Sequence, residues 1–233
     1  RLANGSKTRG TIFLGAATTM YEITGSSLLA SVANGVLAQA AGTCGSPNIR
    51  NVATIGGNIC SALPSGDTLT TLLALDARVT LEGANGPREV ALVDFFLGPA
   101  KTVLQNELVV EIAFPVPELP SGAAFYKLGR TEEDISIVNA AARLRLDPEG
   151  RVIEARIAAG AVAPTPLRIF QAEDFLLGKL PEPATLAEAA RLALEAVKPI
   201  TDQRATAEYR RKVTGVCVRR ALEQAAAHAA GKP

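Results

Sequence analysis

The stretch "NVATIGGNICSALPSGD", residues 51–67, decides how this chain is read. It sets Thr54 before the adjacent pair Gly56 and Gly57, follows them with Asn58, and ends on Asp67. Two glycines permit positive φ and let another group approach the backbone closely. Successive N–H groups in such a turn can form a nest for an anion. The spacing G-x-x-x-x-G-K-[ST] of a triphosphate-binding loop is absent, and so is G-x-G-x-x-G. An anion cradled at this point is therefore something other than a magnesium triphosphate. A dinucleotide diphosphate remains, held by N–H groups, the Thr54 hydroxyl and the Asn58 amide. An ordinary glycine turn is the plainer reading, and the glycine pair alone favours it.

Upstream, "GTIFLGAATTMYEI" (residues 10–23) reads as a strand, a glycine turn and a helix start capped by Thr18 or Thr19. Such an opening looks like the middle of a fold, and an upstream part is expected. Residues 27–41 carry helical spacing closed by Gly42, and "GTCGSPNIRN" reads as a connector. Downstream, Asp67 stands at the N-cap of a leucine-rich helix over 67–77. Asn85-Gly86 between alternating runs predicts a hairpin with a type I′ turn. Residues 107–117 read as a strand stopped by prolines, and "PVPELPSG" (115–122) as the linker. Beyond it come the strand "AAFYKLG", a hairpin around "PEG", and helices over 170–177, 185–197 and 205–230. The last helix is expected to bury Tyr209, Val213, Val216, Leu222 and Ala226. Strands first and helices after suggest a small α+β unit with helices over one sheet face.

Composition narrows the function. The 233 residues are 48% apolar but only 4% aromatic, and the formal net charge is +1. No global field points to nucleic acid or an anionic membrane, and base-stacking platforms are scarce. Cys44, Cys60 and Cys217 are scattered without a CxxC, which disfavours a zinc or iron–sulfur site on this chain. They suit a reducing compartment, and the absence of a spanning apolar run leads us to expect a cytoplasmic protein. The one histidine, His228, lies near the C-terminus and is a poor basis for a nucleophilic triad. Asp67 can cap a helix, and it can also accept from ribose or ribityl hydroxyls. Lys127 reads as a solvated strand-edge cation or as one facing a phosphate or an electron-rich ring. Glu132, Glu133 and Asp134 read as a solvated turn or as carboxylates ordering a loop near a ligand, and the basic run 209–220 as a solvated helix face or a docking face. If this chain performs chemistry, a cofactor carries it.

Five segments in register now carry a resemblance: "GAATTMYEI", "GSPNIRNVATIGGNICSALPSGDTLTTLLALDARV", "ELVVEIAFP", "AFYKLGRTEEDISIVNAAARL" and "ATAEYRRKVTGVCVRRAL". Together they resemble the FAD-binding medium subunit of the molybdenum hydroxylases, over essentially the whole chain. The resemblance implies an α+β chain: residues 1–117 as the second part of a FAD-binding domain of the vanillyl-alcohol-oxidase (PCMH) type, and 122–233 as a small domain with an antiparallel sheet and helices. It implies FAD contacts at Thr54, Ile55, Gly56, Gly57 and Asn58 through their backbone, and further contacts at Asp67, Val109, Lys127, Asp134 and Ile135. It assigns no catalytic side chain and no metal ligand to this chain. A large subunit with a molybdenum cofactor and a small subunit with [2Fe–2S] clusters are the implied partners, in a dimer of heterotrimers. Electrons are expected to leave for NAD⁺, a quinone or oxygen. The family's earlier glycine-rich loop would precede Arg1, so half of the FAD cradle is expected to be missing here: either the gene product is longer, or this chain binds FAD weakly or not at all. Two rivals stay open: a non-catalytic docking module without FAD, and a free-standing flavin oxidase.

Overall fold

The computed structural model describes residues 6–8 and 10–232. Strands β1 (Ser6–Thr8) and β2 (Thr11–Gly15) open the chain. Helix α1 (Met20–Gly25) starts at Thr19, whose side chain and Glu22 form a reciprocal capping box. The expected helix over 27–41 breaks into α2 (Ser27–Ser31), a 3₁₀ turn (Ala33–Gly35) and α3 (Val36–Gly42). The break sits at Asn34-Gly35, both at positive φ (56° and 69°), and the Asn34 Oδ1 accepts from the Ala123 N–H at 3.0 Å. The expected connector contains helix α4 (Pro47–Val52), with Ser46 as N-cap and Pro47 in its first turn.

Helix α5 (Ile55–Ser61) and helix α6 (Asp67–Ala74) follow. Strands β3 (Arg78–Gly83) and β4 (Gly86–Ala91) form the predicted hairpin. Its turn differs from type I′: Gly83 pairs with Gly86, the loop residues are Ala84 and Asn85, and positive φ falls on Gly86 and not on Asn85. Helix α7 (Leu92–Phe95), the short pair β5 (Phe96–Gly98) and β6 (Lys101–Thr102), and strand β7 (Leu108–Pro115) complete this part. The first sheet is antiparallel in the order β1-β2-β7-β3-β4.

Residues 116–120 lead to strands β8 (Ser121–Leu128), β9 (Val138–Leu146), β10 (Val152–Gly160) and β11 (Leu167–Arg168), an antiparallel sheet in the order β11-β10-β9-β8. Helices α8 (Phe170–Leu176), α9 (Pro183–Ala196) and α10 (Ala207–Ala229) follow. This sheet is covered on both faces rather than on one. Ala124, Ala140, Ala142, Ile157 and Ala159 enter a core with α9 and α10, while Phe125, Ala141 and Ala158 enter the core of the first sheet. That alternation is the period-two signature of a strand buried on both sides. Helix α6 packs into this shared seam, and every one of its residues is buried.

Helix α10 keeps part of the expected face, with Val213 packed against the core, and departs from it elsewhere. Leu222 and Ala226 are buried, but Tyr209 and Val216 are 45% and 37% exposed. Arg210, Thr214, Cys217, Val218, Ala221 and Ala225 take the inner face instead. A periodicity argument passes over Arg210 because it is charged. It goes inside because its Nη2 meets Asp202 Oδ1 at 2.7 Å and its Nη1 donates to the Ile137 carbonyl.

Candidate functional site

Thr54 is the N-cap of α5, so the glycine pair begins a helix and is not a free turn. All four amides of that first turn are committed inside the fold. Ile55 N–H donates to Thr18 O, Gly56 N–H to Ala16 O and Asn58 N–H to Thr54 O, each at 2.9 Å. Gly57 N–H donates to Thr54 Oγ1 at 3.1 Å. Gly56 is glycine because the helix end abuts the backbone after β2: a Cβ there would lie 2.6 Å from Ala16 Cβ and 2.7 Å from Ala16 O. Ile55 is in the first core, whereas Gly57 is exposed and Asn58 half-buried.

Asn58 Oδ1 accepts from Thr68 Oγ1 at 2.6 Å and so ties α5 to the start of α6. Beside Thr68 stands Asp67. Gly66, and not Asp67, occupies the N-cap position of α6, and the Asp67 side chain turns to other partners. Its Oδ2 accepts from Lys127 Nζ at 2.7 Å, and its Oδ1 accepts from Ser136 Oγ and, at 3.0 Å, from Asn139 Nδ2. The Lys127 and Asp67 side chains are each 8% exposed. Lys127 also donates to the Thr43 carbonyl at 2.8 Å. This lysine is thus a buried cation bridging the two sheets' territories and not a solvated strand-edge residue. Nearby, burial and then the Asp67 carboxylate push the Cys44 thiol up to about 12, so it stays neutral.

Beyond β8 the loop carries Asp134, which accepts from Arg130 Nε at 3.2 Å. Ile135 is 49% exposed and lines a cavity of about 250 Å³ with Pro64, Ser136 and Arg210. At its edge, burial works to raise the Asp202 carboxyl, but the Arg210 bond and the amides of Arg204 and Ala205 outweigh it and hold it below the carboxylate range. On the other side of the loop a cleft of about 700 Å³ is lined by Lys127, Arg50, Thr43 and Gly129. Val109 stands apart from this cluster, partly buried on β7 against the first core. Sequence reasoning missed Ser136 and Asn139. A Ser in the loop and an Asn on the next strand give no signal until the register sets Asn139 opposite Lys127.

The donors that remain decide what the site can hold. An ammonium has three N–H bonds, and Lys127 uses two of them within the fold. Among the described residues the Thr54 hydroxyl and the Asn58 Nδ2 find no acceptor. The set is the Lys127 ammonium, one hydroxyl and one amide, while apolar Ile135 lines the separate cavity across the loop. Those groups fit a cofactor with a diphosphate, hydroxyls and a flat ring, although the backbone nest expected at residues 55–58 is absent because its amides are bonded internally. Among the described residues no group of three His, Cys, Asp or Glu could hold a metal ion. No described helix is long and apolar enough to cross a membrane.

Comparison with known proteins fits this geometry. Residues 1–117 match the model of the FAD binding domain in molybdopterin dehydrogenase, and residues 123–225 that of the CO dehydrogenase flavoprotein C-terminal domain. A xanthine dehydrogenase FAD-binding subunit from Escherichia coli O157:H7 is 34% identical, covering 96% of this chain and 77% of the relative. The carbon monoxide dehydrogenase medium chain of Afipia carboxidovorans is 35% identical, covering 97% and 78%. Among solved structures, a cyanide-inactivated Cu,Mo-CO dehydrogenase superposes with a TM-score of 0.92 at 33% identity, covering 97% of this chain and 79% of that one. Quinoline 2-oxidoreductase from Pseudomonas putida 86 does so at 0.89 and 29%, covering 98% and 79%. The chain belongs to the family of FAD-binding medium subunits of the molybdenum hydroxylases.

Proposed function

We propose that this chain holds FAD as the electron-transfer subunit of a molybdenum-containing hydroxylase. Its partners are a large subunit with the molybdenum cofactor and a small subunit with [2Fe–2S] clusters, assembled as a cytoplasmic dimer of heterotrimers. When bound, FAD supplies the exchange between single electrons from clusters and the electron pair taken by NAD⁺, a quinone or oxygen. The chain's own residues bind and orient. Thr54 and Asn58 offer a hydroxyl and an amide to the diphosphate and ribityl groups, and the missing side chain at Gly57 leaves room for them. Lys127 offers its remaining N–H as a charge-assisted donor. Asp134 and Ile135 form the loop beside the ring, and Ile135 shields it from water. Val109 supports the site through β7. Ile55 and Gly56 serve by packing, since one is buried and the other abuts Ala16. Residues 1–117 and 122–233 are read as two domains that share this site.

One observation carries the reading. Hydrogen bonds join Asn58 to the Thr54 cap, Thr68 to Asn58, and Lys127 to Asp67, the chain neighbour of Thr68, so the candidate donors belong to one connected structure. Titrating the assembled protein, stripped of flavin, with FAD and following fluorescence quenching tests it. Saturable quenching is expected, weakened by Lys127→Met. No quenching in the wild-type assembly favours the docking-module alternative.

A further inference from the structure

Asp67 has more partners than holding a lysine requires. A carboxylate has about four acceptor sites, and three are occupied by three different side chains. Ser136 and Asn139 both donate to Oδ1, and Lys127 donates to Oδ2. Asn139 Nδ2 also donates to Ser136 Oγ at 3.1 Å, so the two donors brace each other. Rotation about the terminal torsion of an aspartate is soft. Two donors on one oxygen remove that freedom and fix where the other oxygen stands. Oδ2 and the Thr43 carbonyl then fix the ammonium of Lys127 at two points, which sets the direction of its third N–H.

The surrounding backbone is arranged around this brace. The β8–β9 register sets Asn139 directly opposite Lys127, and the β9–β10 register sets Gly160 opposite Asn139. A Cβ on Gly160 would lie 2.3 Å from Asn139 Oδ1, so glycine is what lets the amide lie flat there. Asn139 is fully buried, and its Oδ1 has no hydrogen-bond partner. A flipped amide would turn that oxygen against the carboxylate, so the orientation with Nδ2 on Asp67 is the one the site requires. Leaving one buried acceptor unpaired is a cost that plain packing of two strands does not call for.

We infer that Ser136 and Asn139 are positioning residues: through Asp67 they aim the uncommitted N–H of Lys127 at the cofactor. The inference rests on the flavoprotein reading. It adds to the role of Asp67, which anchors the lysine and keeps about one acceptor site for a hydroxyl. Ser136 and Asn139 are both buried, and their assigned role runs through Asp67.

The test compares Ser136→Cys, similar in shape but a weak donor, with Ser136→Thr, which keeps the hydroxyl, and Asn139→Ala. Two readouts are taken on the assembled protein. In the flavin-free form, acylation of Lys127 by an amine-specific reagent is followed by mass spectrometry. Ser136→Cys and Asn139→Ala are expected to label about fivefold faster than wild type, the worth of one net hydrogen bond, and Ser136→Thr at the wild-type rate. In the FAD-loaded form, the first two variants are expected to shift the visible flavin spectrum and lower its midpoint potential, with Ser136→Thr restoring both. Ser136→Cys is the mild change that keeps the test decisive if Asn139→Ala does not fold. Unchanged labelling and an unchanged spectrum, with only a lowered melting temperature, overturn the inference. A wild-type assembly that takes up no FAD overturns the flavoprotein reading itself, whereas a loaded one whose variants match it overturns only the positioning role.

Discussion

The start of α5 and the Asp67 cluster stand side by side and are built in opposite ways. At α5 the backbone does the bonding: four amides are satisfied by carbonyls and one hydroxyl of neighbouring loops, and Gly56 allows the close approach. At Asp67 the side chains do it: a buried carboxylate gathers three donors from two strands of the second sheet and the loop between them. The first device tolerates no added volume, and the second tolerates no lost partner. A glycine pair in a cofactor-binding family therefore need not mean that its amides face the ligand. In this chain it marks a tight helix–strand junction whose amides are bonded within the fold.

That contrast can be broken most sharply at Asp67. Asp67→Ala leaves Lys127 buried without its counter-charge, and the penalty for such a break is about 3–5 kcal/mol. Urea denaturation is expected to show that loss, with Lys127→Met plus Asp67→Ala recovering part of it. A loss confined to less than about 1 kcal/mol, the scale of an exposed pair, contradicts the burial argument. Gly56→Ala comes next. The new methyl meets Ala16 backbone, and overpacking of this kind costs about 1–3 kcal/mol. Gly57→Ala is the control: its Cβ meets only Thr54 Oγ1, at 3.0 Å. The gain in helix propensity offsets that contact, and stability is expected within about 1 kcal/mol of wild type. Equal effects at the two glycines would remove the distinction drawn between them. Thr54→Ala removes the cap of α5 and is expected to cost about 1 kcal/mol.

The smallest effect is confined to acid. The Asp202 carboxyl titrates in the folded protein below its ordinary value of 3.8. Its contribution to stability is therefore full above that value and is lost as pH falls through the lower folded one. The difference in melting temperature between wild type and Asp202→Asn is expected to hold constant at neutral pH and to close on strong acidification. A gap independent of pH contradicts the assignment.

Much of this was legible in the sequence where the signal was local. The helix start at Thr19, the hairpin at Gly150 and the order of strands and helices follow from nearby residues. Some local signals were present but outweighed by a smoother pattern. Asn34-Gly35 interrupts an alanine-rich run, and Ser46-Pro47 opens α4 inside an apparent connector. The candidate site was legible only as a set of residues. Asp67 meets partners 60, 69 and 72 positions away, and which of them pairs with which is fixed by the register of β8 and β9. The inward turn of Arg210 was hidden for the same reason, since Ile137 and Asp202 have to arrive first.

The most direct measurement is the flavin content of the protein purified from its native cells together with the chains that accompany it. The account predicts a yellow assembly with one FAD per copy of this chain, one larger partner carrying molybdenum and one smaller partner carrying iron and sulfide. Recovery of a solitary, colourless, metal-free chain would contradict it.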